Sequence, residues 1–384
     1  MNSLIMPPAT IGIIGGGQLG RMMAVAAKQM GFRVAVLDPD AEGPAAQLAD
    51  TMIAANYSDL EAAKQLADVS DRITYEFENI DRDVLGWLEG TGKLVQSPLL
   101  LELTQHRIKE KQAIEESGCQ VAPYRSVTDN ATLQQAIAEL GLPAVLKTCT
   151  GGYDGKGQVV LKTEEDATEA QALLQQGDCV LEQWVPFKAE LSVIVVSSAN
   201  GEVRTFPVAE NRHEQNILAI TTVPARFSES VLQQADELAL KLAEALPLVG
   251  TLAVEMFLTQ DDELYVNELA PRPHNSGHYT IEGCETSQFE QHVRAVCGWP
   301  LGATTLRQPS VMVNILGEHL PAVLNQVDSF GPHTHLHLYG KKEARPLRKM
   351  GHLTVTAPSV QEAEAEASEL DALLYGKDNR GIHS

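Results

Sequence analysis

A regular alternation of strand-like and helix-like segments over residues 11–104 constrains the fold more than any other feature of this sequence. The apolar run IGII is followed by a helical pattern from Gln18 to Met30, and then by the apolar run RVAVL, which ends at Asp38. The runs RITY (72–75) and KLV (93–95) have the composition of later strands. Because strands that alternate with helices pair in parallel through right-handed crossovers, this region predicts a Rossmann-like α/β domain.

The chain after residue 104 has a different pattern, with many short β-like runs and few helices. We expect a charged helix from Thr104 to Ser117, and then an antiparallel-type sheet over 191–269 that is interrupted by a helix over 229–245. Ser359 and Glu362 form a capping box before the last helix. The predicted domains are an N-terminal parallel α/β domain (1–104), a central domain (105–300) that contains a lid module (123–190), and a small β-rich C-terminal domain (301–384).

Charge and hydropathy exclude several classes of function. The chain has 29 Lys and Arg against 51 Asp and Glu, a net charge of −22, whereas a general nucleic-acid or anionic-membrane surface needs a basic footprint. The longest nearly apolar run, 246–258, falls short of the ~20 residues that a membrane-spanning helix needs. The five cysteines form no C-x-x-C and indicate neither a disulfide framework nor a zinc ribbon. We expect a soluble protein of the reducing cytoplasm.

A first glycine motif lies between the first strand and the first helix. Gly15, Gly17 and Gly20 satisfy G-x-G-x-x-G, and Asp38 ends the next strand, as in dinucleotide-binding folds. Small residues at such a turn offer backbone N–H groups and a helix dipole to any anion, or simply allow tight packing. The motif alone therefore leaves an NAD-dependent dehydrogenase open.

A second glycine-rich segment, TGGYDGKGQ (150–158), follows the apolar strand AVLKT (144–148). It does not fit G-x-x-x-x-G-K-[ST], so a Walker-type P-loop is excluded. A hairpin with bare N–H groups and Lys156 can fold over a polyphosphate, while Lys147 can pair with the phosphates from the side. The alternative for the segment in isolation is a β-hairpin with a surface lysine.

Two glutamates on late strands form a candidate metal site. In TLAVEMFL-TQDDE-LYVNEL, two apolar strands flank a polar loop and predict a hairpin. One register sets Glu255 opposite Asn267, and a slip of one residue sets it opposite Glu268. In both registers two carboxylates come close together, and a divalent cation relieves their repulsion. Oxygen ligands favour Mg²⁺ or Mn²⁺ over zinc; the alternative is one glutamate turned to solvent.

The order of these features resembles the ATP-grasp enzymes. Within that superfamily, five strings are similar to the N5-carboxyaminoimidazole ribonucleotide synthetase family of purine biosynthesis. They are GGGQLGRM (15–22), YEFENI (75–80), GGYDGKGQ (151–158), NELAPRPHNSGHYTIE (267–282) and RKMGH (348–352). The resemblance implies an ATP-grasp fold of mixed α/β and α+β class, with a biotin-carboxylase-type N-terminal domain, an inserted lid and a small β-rich C-terminal domain.

The resemblance also implies an ATP site between the lid and the central sheet. Mg²⁺, or Mn²⁺, would be held by Glu255 and Glu268, beside Asn267. The implied catalytic residues are Lys147, Arg272 and Asp154, of which Asp154 is expected to orient the attacking amine. The residues implied around the ATP phosphates are Arg107, Lys147, Gly152, Tyr153, Asp154, Gly155, Lys156, Gly157, Gln158 and His213. Those implied around adenine are Glu182, Gln183, Trp184 and Val185, with Glu190 on the ribose hydroxyls.

The second substrate that the resemblance implies is 5-aminoimidazole ribonucleotide. The implied binding residues are Gln18, Glu76, Tyr153, Asp154, Arg272, His274, Asn275, Lys341 and Arg348. The segment 341–349 supports a phosphate site independently, because it holds five bases against one acid, Glu343, in a chain of net charge −22. In this interpretation the first glycine motif belongs to the nucleotide substrate and not to NAD.

The implied reaction is an ATP-dependent carboxylation. Bicarbonate attacks the γ-phosphorus to give carboxyphosphate, and the exocyclic amine of aminoimidazole ribonucleotide then captures the carboxyl group. A closing lid would protect carboxyphosphate from water. The alternatives are a related ligase that activates formate or requires biotin, the NAD-dependent dehydrogenase, and a non-catalytic nucleotide-binding regulator. The resemblance further implies a homodimer that acts on small-molecule substrates, while the net charge and hydropathy described above indicate no nucleic-acid or membrane partner.

Overall fold

A computed structural model of the chain describes residues 4–152, 156–163 and 166–376. Its first part alternates strands and helices as predicted: β1 (Thr10–Ile14), α1 (Gln18–Gln29), β2 (Arg33–Asp38), β3 (Thr51–Ala54), α2 (Leu60–Val69), β4 (Arg72–Tyr75), α3 (Arg82–Gly90) and α4 (Pro98–Thr104). The strands pair in parallel in the order β3–β2–β1–β4. Ile13 and Val36 pack on one side of this sheet and Ile14 and Leu37 on the other, so both faces are covered.

The next part of the chain forms the lid module. After helix α5 (Arg107–Glu116), the module comprises β5 (Tyr124–Val127), α6 (Asn130–Leu140), β6 (Ala144–Thr148), β7 (Gln158–Leu161), α7 (Ala167–Leu174) and β8 (Cys179–Gln183). The strands pair in antiparallel fashion in the order β5–β8–β6–β7. The glycine-rich segment connects β6 to β7, so the sheet carries this segment at one end of a hairpin.

A large antiparallel sheet follows. Its elements are β9 (Phe187–Ser197), β10 (Val203–Thr205), β11 (Ala209–Glu214), β12 (Ile217–Val223), α8 (Glu229–Ala245), β13 (Gly250–Thr259), β14 (Leu264–Ala270), α9 (Thr280–Gly283) and α10 (Gln288–Val296). The strand order is β14–β13–β9–β11–β12, with β10 paired to β9. Helix α8 has the predicted bounds and packs Ala235, Ala239 and Leu242 into the same core as Val193 and Val195. No helix in the described part of the chain is long and apolar enough to cross a bilayer.

The C-terminal elements are β15 (Ser310–Leu316), α11 (Leu320–Leu324), β16 (Thr334–Leu338), β17 (Lys349–Thr356) and α12 (Val360–Tyr375). Strand β15 pairs with β12, so the sheet continues in the order β12–β15–β17–β16. Ser359 caps α12 as predicted, since its Oγ accepts a hydrogen bond from the Glu362 amide at 3.3 Å. Arg212 on β11 binds Asp371 on α12 through two hydrogen bonds of 2.9 and 2.5 Å, which fasten the helix to the central sheet.

Several local predictions were wrong. The run 93–95 makes a single bridge, Ile73 to Leu94, and forms no strand. The helix predicted over 104–117 is broken into α4 and α5 by His106, whose backbone is extended. Within the predicted sheet, the run VRTFPVAE (203–210) has the composition of one strand, but it is split into β10 and β11 around Pro207, because proline cannot donate a ladder hydrogen bond. Strand β12 was not predicted.

A buried histidine joins the N-terminal domain to the large sheet. His292 on α10 accepts a hydrogen bond from the Thr251 amide at Nδ1 (3.1 Å), and its Nε2 lies 2.7 Å from Thr74 Oγ1 on β4. The Thr74 hydroxyl donates to Gln96 Oε1 at 2.6 Å, so Nε2 carries the hydrogen of a neutral imidazole. Burial lowers the pKa of His292 to about 3.

Candidate active site

Two adjoining cavities lie between the lid module, the large sheet and the N-terminal domain. Their volumes are about 290 and 940 Å³, and we call them the small cavity and the large cavity. Residues that line both, and therefore mark their junction, are Arg107, Lys156, Asn216, Glu268, His274, Asn275 and Lys349. These residues come from helix α5, the lid module, the β11–β12 turn, β14 and β17, so the junction depends on the packing of several domains.

One wall of the small cavity is aromatic. The rings of Phe187 on β9 and Phe257 on β13 stack with their centroids 4.7 Å apart, and the Trp184 ring lies 6.3 Å from Phe187. Val185 lines the same wall. A slot between aromatic and aliphatic side chains suits a planar heterocycle. This wall is where the sequence predicted adenine.

A polar pair faces the small cavity from neighbouring strands. His213 on β11 contacts Glu190 on β9 through a hydrogen bond between Nδ1 and Oε2. Burial would lower the pKa of His213, but the adjacent Glu190 carboxylate outweighs burial and raises it. The pair therefore offers a carboxylate and an imidazole at the edge of this cavity.

Lys147 is held by a buried carboxylate that it shares with a second lysine. Its Nζ lies 3.0 Å from Oε2 of Glu182, and Nζ of Lys111 lies 3.2 Å from Oε1 of the same group. Burial would raise the pKa of Glu182, but Lys147 and Lys111 lower it to about 2. Burial lowers the pKa of Lys147, and Glu182 partly offsets this effect. Because its side chain is occupied in this way, Glu182 can meet adenine only through its backbone.

The two glutamates predicted to bind a metal lie opposite each other. Glu255 on β13 pairs with Glu268 on β14, and a bulge directly after Glu255 sets this register. Burial and the neighbouring Glu268 raise the pKa of Glu255 to about 7. The side-chain oxygen of Asn267 is buried and has no hydrogen-bond partner among the described residues. The two carboxylates repel each other, and a divalent cation between them would relieve that repulsion. Together with the Asn267 amide oxygen, they are the oxygen ligands that such a cation prefers.

Helix α5 places further charges at the cavity junction. Arg107 Nη1 lies 3.4 Å from Glu268 Oε2. One turn later, the buried Glu110 accepts a hydrogen bond at Oε1 from the amide of Leu269, at 2.7 Å. Burial, together with the nearby Glu268 charge, raises the pKa of Glu110 to about 8. This helix therefore contacts the candidate metal ligand both directly and through the next backbone amide.

The first glycine motif is occupied by the chain's own carboxylates. Glu76 accepts hydrogen bonds from the Gly17 amide and, at 2.5 Å, from the Gly20 amide. Asp38 accepts from the Gly16 amide at 2.6 Å and from the Tyr57 hydroxyl at 2.5 Å. The donors and the acid that a dinucleotide needs are thus already paired, which removes the physical basis of the dehydrogenase alternative. The glycines are required because a Cβ on Gly17 would lie 2.5 Å from Glu76 Oε1.

Basic side chains form one wall of the large cavity. The segment 341–349 contributes Lys341, Arg345, Arg348 and Lys349 to this wall. Lys341 Nζ donates to the Lys349 carbonyl at 2.7 Å, which fixes the segment against the start of β17. Arg272 pairs with Glu78 at 2.9 Å; burial alone would lower the Arg272 pKa, but Glu78 and nearby acids raise it. The cavity therefore concentrates positive charge within an acidic protein.

The structure brings most of the predicted site residues to these cavities. The small cavity is lined by Arg107, Lys147, Lys156, Gln158, Glu182, Gln183, Trp184, Val185, Glu190, His213, Glu255, Asn267 and Glu268. The large cavity is lined by Gln18, Glu76, Arg107, Gly152, Lys156, Glu268, Arg272, His274, Asn275, Lys341 and Arg348. Gly157 lies beside Thr148 at a φ of 72° and lines neither cavity. Tyr153, Asp154 and Gly155 lie outside the described residues.

Several residues of the site were missed from the sequence. They are Glu78, Glu110, Lys111 and Asn216. The sequence did hold a signal for Glu110 and Lys111. Positions 107, 110, 111 and 114 share one face of a helix, and Ile114 on that face is a core residue. Asn216 sits at a left-handed φ of 62° in the β11–β12 turn, a placement that no motif in the sequence announces.

Comparison with known domain families divides the chain into three matches. Residues 8–105 match the ribonucleotide synthetase preATP-grasp domain. Residues 112–289 match the ATP-grasp domain, and residues 310–366 match the phosphoribosylaminoimidazole carboxylase C-terminal domain. The three matches follow one another in the order that the sequence resemblance implied.

Proteins of one enzyme family align with nearly the whole chain. The N5-carboxyaminoimidazole ribonucleotide synthase of Bacillus subtilis is 59% identical over 351 residues, which cover 91% of this chain and 92% of the relative. A crystal structure of an N5-carboxyaminoimidazole ribonucleotide synthetase with ADP superposes with a TM-score of 0.94 at 57% identity, over 96% of this chain and 98% of that chain. The Aspergillus clavatus synthase with ADP and 5-aminoimidazole ribonucleotide gives a TM-score of 0.89 at 37% identity, over 95% and 98%. The chain therefore belongs to the N5-carboxyaminoimidazole ribonucleotide synthase family of ATP-grasp ligases.

Proposed function

We propose that this protein uses ATP and bicarbonate to carboxylate the exocyclic amine of 5-aminoimidazole ribonucleotide. The products are N5-carboxyaminoimidazole ribonucleotide, ADP and phosphate. The observation that carries the proposal is the junction of the two cavities at Arg107 and Glu268, because a phosphoryl group bound in one cavity can there meet a nucleophile bound in the other. Family membership supports the same reaction.

The small cavity has the properties of the ATP site. Its aromatic wall at Trp184, Phe187 and Phe257 suits adenine, and the Glu190–His213 pair lies where ribose hydroxyls need polar partners. Lys147 and Arg107 supply positive charge toward the junction. Phosphoryl transfer depends chiefly on positioning and on charge neutralisation, which these groups provide. Among the related crystal structures, three contain ADP and one contains ATP.

We infer that Mg²⁺ is held by Glu255 and Glu268, with Mn²⁺ as an alternative ion. When bound, the ion neutralises charge on the β- and γ-phosphates and polarises the phosphorus. The Asn267 side-chain oxygen, which has no hydrogen-bond partner within the part of the chain that the structure describes, would serve as a further oxygen ligand. Arg107, which contacts Glu268, would neutralise a further part of the phosphate charge.

The large cavity has the properties of the ribonucleotide site. Its basic wall at Lys341, Arg345 and Arg348 suits the 5′-phosphate, since guanidinium and ammonium groups bind phosphate oxygens strongly. Gln18, at the start of α1, and Asn275 offer hydrogen bonds to the sugar or base. His274 lies at the junction, 3.5 Å from Glu255, and so faces the point where the amine must arrive.

The chemistry proceeds in two displacements at this junction. A bicarbonate oxygen attacks the γ-phosphorus, the bond to the β–γ bridging oxygen breaks, and ADP leaves. The amine then attacks the carboxyl carbon of carboxyphosphate, the C–O bond to phosphate breaks, and the amine loses a proton. Arg272, buried beside Glu78 in the large cavity, is placed to stabilise the anionic intermediate. Asp154, on the lid, is our candidate for orienting the amine.

Phosphate release with ATP and Mg²⁺ tests the proposal directly. Bicarbonate and aminoimidazole ribonucleotide are added separately and together, and full activity should require both. Formate that replaced bicarbonate, or a requirement for biotin, would assign the protein to a related ligase instead. Phosphate release that never responded to aminoimidazole ribonucleotide would reject the substrate. We further propose a homodimer in the cytoplasm, which light scattering of the purified protein and cell fractionation would test.

A further inference from the structure

One face of helix α5 carries charges where a packed helix normally carries apolar side chains. Arg107, Glu110, Lys111 and Ile114 follow the i, i+3, i+4, i+7 spacing of a single face. Ile114 is fully buried in the core, and Glu110 and Lys111 are only 3% and 1% exposed. Buried charges of this kind carry a large desolvation cost unless they have partners, so each needs a structural explanation.

The buried ammonium of Lys111 has an incomplete set of partners. Within the described residues, Glu182 is the one carboxylate in ion-pairing distance of it, at 3.2 Å. Neither Lys111 Nζ nor Glu182 Oε1 has a hydrogen bond of good geometry there, so the interaction is one of charge. The Tyr124 ring lies 5.9 Å from Nζ and adds a weak cation–π contact.

The charge count around Glu182 has a consequence for Lys147. One carboxylate faces two ammonium groups, and Lys147 is the one of the two that lines the small cavity. Without Lys111, Glu182 and Lys147 would form a neutral ion pair. With Lys111 present, the cluster keeps one net positive charge beside the cavity, and Glu182 is shared between the two ammonium groups and not bound by Lys147 alone.

We propose that Lys111 is a positioning residue for the triphosphate subsite, which acts through Glu182 to keep the charge of Lys147 available to the β- and γ-phosphates. The inference rests on the proposed placement of ATP in the small cavity. It assigns a function to a residue that does not line the cavity and that lies one helical turn from Arg107. It also explains why the core face of α5 retains a lysine.

The test compares Lys111→Met with Lys109→Met in the full-length enzyme. Lys109 lies on the same helix, pairs with Glu102 and has a side chain that is 40% exposed, so its substitution is matched in charge and location. Calorimetric titration measures the Kd of ATP, ADP and adenosine, and steady-state kinetics gives kcat and both KM values. Lys111→Gln, which keeps a polar group without charge, is measured alongside in case the methionine variant does not fold.

We expect Lys111→Met and Lys111→Gln to raise the Kd of ATP and ADP by roughly tenfold, about 1.4 kcal/mol. These variants should stay within about twofold of the wild type in adenosine affinity, in the KM of aminoimidazole ribonucleotide and in kcat at saturating ATP. Lys109→Met should stay within about twofold of the wild type in every value. Lys111→Arg, which restores the charge, should recover most of the ATP affinity. Unchanged ATP affinity, or equal weakening of ATP and adenosine, overturns the inference. If the wild-type protein binds neither ATP nor ADP, the proposed function fails instead.

Discussion

Protonation of His292 should make the stability of this protein fall steeply below neutral pH. The folded pKa is about 3 because the ring is buried, whereas an unfolded chain has a histidine pKa of about 6.5. The unfolded state therefore binds a proton that the folded state does not. The contribution of His292 to the free energy of unfolding is fully present above about pH 6.5, and it falls by about 1.4 kcal/mol for each pH unit below that value. Between about pH 8 and pH 5 the loss from His292 alone is about 2 kcal/mol.

The assay is urea unfolding of the wild-type protein and of His292→Gln across this pH range. A glutamine can accept from the Thr251 amide and donate to Thr74 Oγ1, so it replaces both ring contacts without titrating. We expect the free energy of unfolding of the variant to fall by about 2 kcal/mol less than that of the wild type between the two pH values. Equal losses in the two proteins would refute the buried neutral histidine. His278 and His352, whose pKa values burial also lowers, titrate in both proteins and cancel in the comparison.

Three further predictions concern the proposed reaction. Glu268→Gln should abolish ATP-dependent phosphate release without lowering the melting temperature, and an unaltered Mg²⁺ dependence would rule Glu268 out as a ligand. Glu110→Leu leaves the Leu269 amide without its acceptor, a cost of about 1–3 kcal/mol; the Mg²⁺ concentration for half-maximal rate should rise by roughly tenfold, whereas Glu110→Gln, which keeps an acceptor, should stay near wild type. Asp154→Asn should lose coupled turnover more than ATP binding, measured by phosphate release and by calorimetry; equal loss of both would contradict the role of Asp154 in orienting the amine.

The parts of the fold that could be predicted from sequence are those fixed by local periodicity. Helix α8 has its predicted bounds, because its apolar positions repeat at helical spacing and Ser228 caps its first turn. The β13–β14 hairpin was also predicted, but its register was left between two alternatives. The bulge after Glu255 sets Glu255 opposite Glu268 and leaves Asn267 without a partner position on β13, and it has no sequence signal of its own.

The parts that could not be predicted depend on partners distant in sequence. Helix α5 has the composition of a solvated helix, and its buried charges make sense only once Glu182, 71 positions after Lys111, and Leu269 lie beside it. The first glycine motif was ambiguous for the same reason, since Glu76, the residue directly after β4, binds it from almost 60 positions away. Likewise, the β-rich character of residues 301–384 was predicted, but not that their strands join the central sheet.

Because β15 pairs with β12, the central and C-terminal parts of the chain share one sheet, and this limits where the chain can be truncated. A fragment ending at residue 300 would lose β15 and expose the backbone of β12 from Ile220 to Val223 as a bare edge. It would also lose α12, which covers the apolar side of this region and holds Arg212 through Asp371. Bare edges of this kind promote aggregation. Dissecting the protein for expression or for interaction screening should therefore keep the last 84 residues attached, although a family boundary falls just before them.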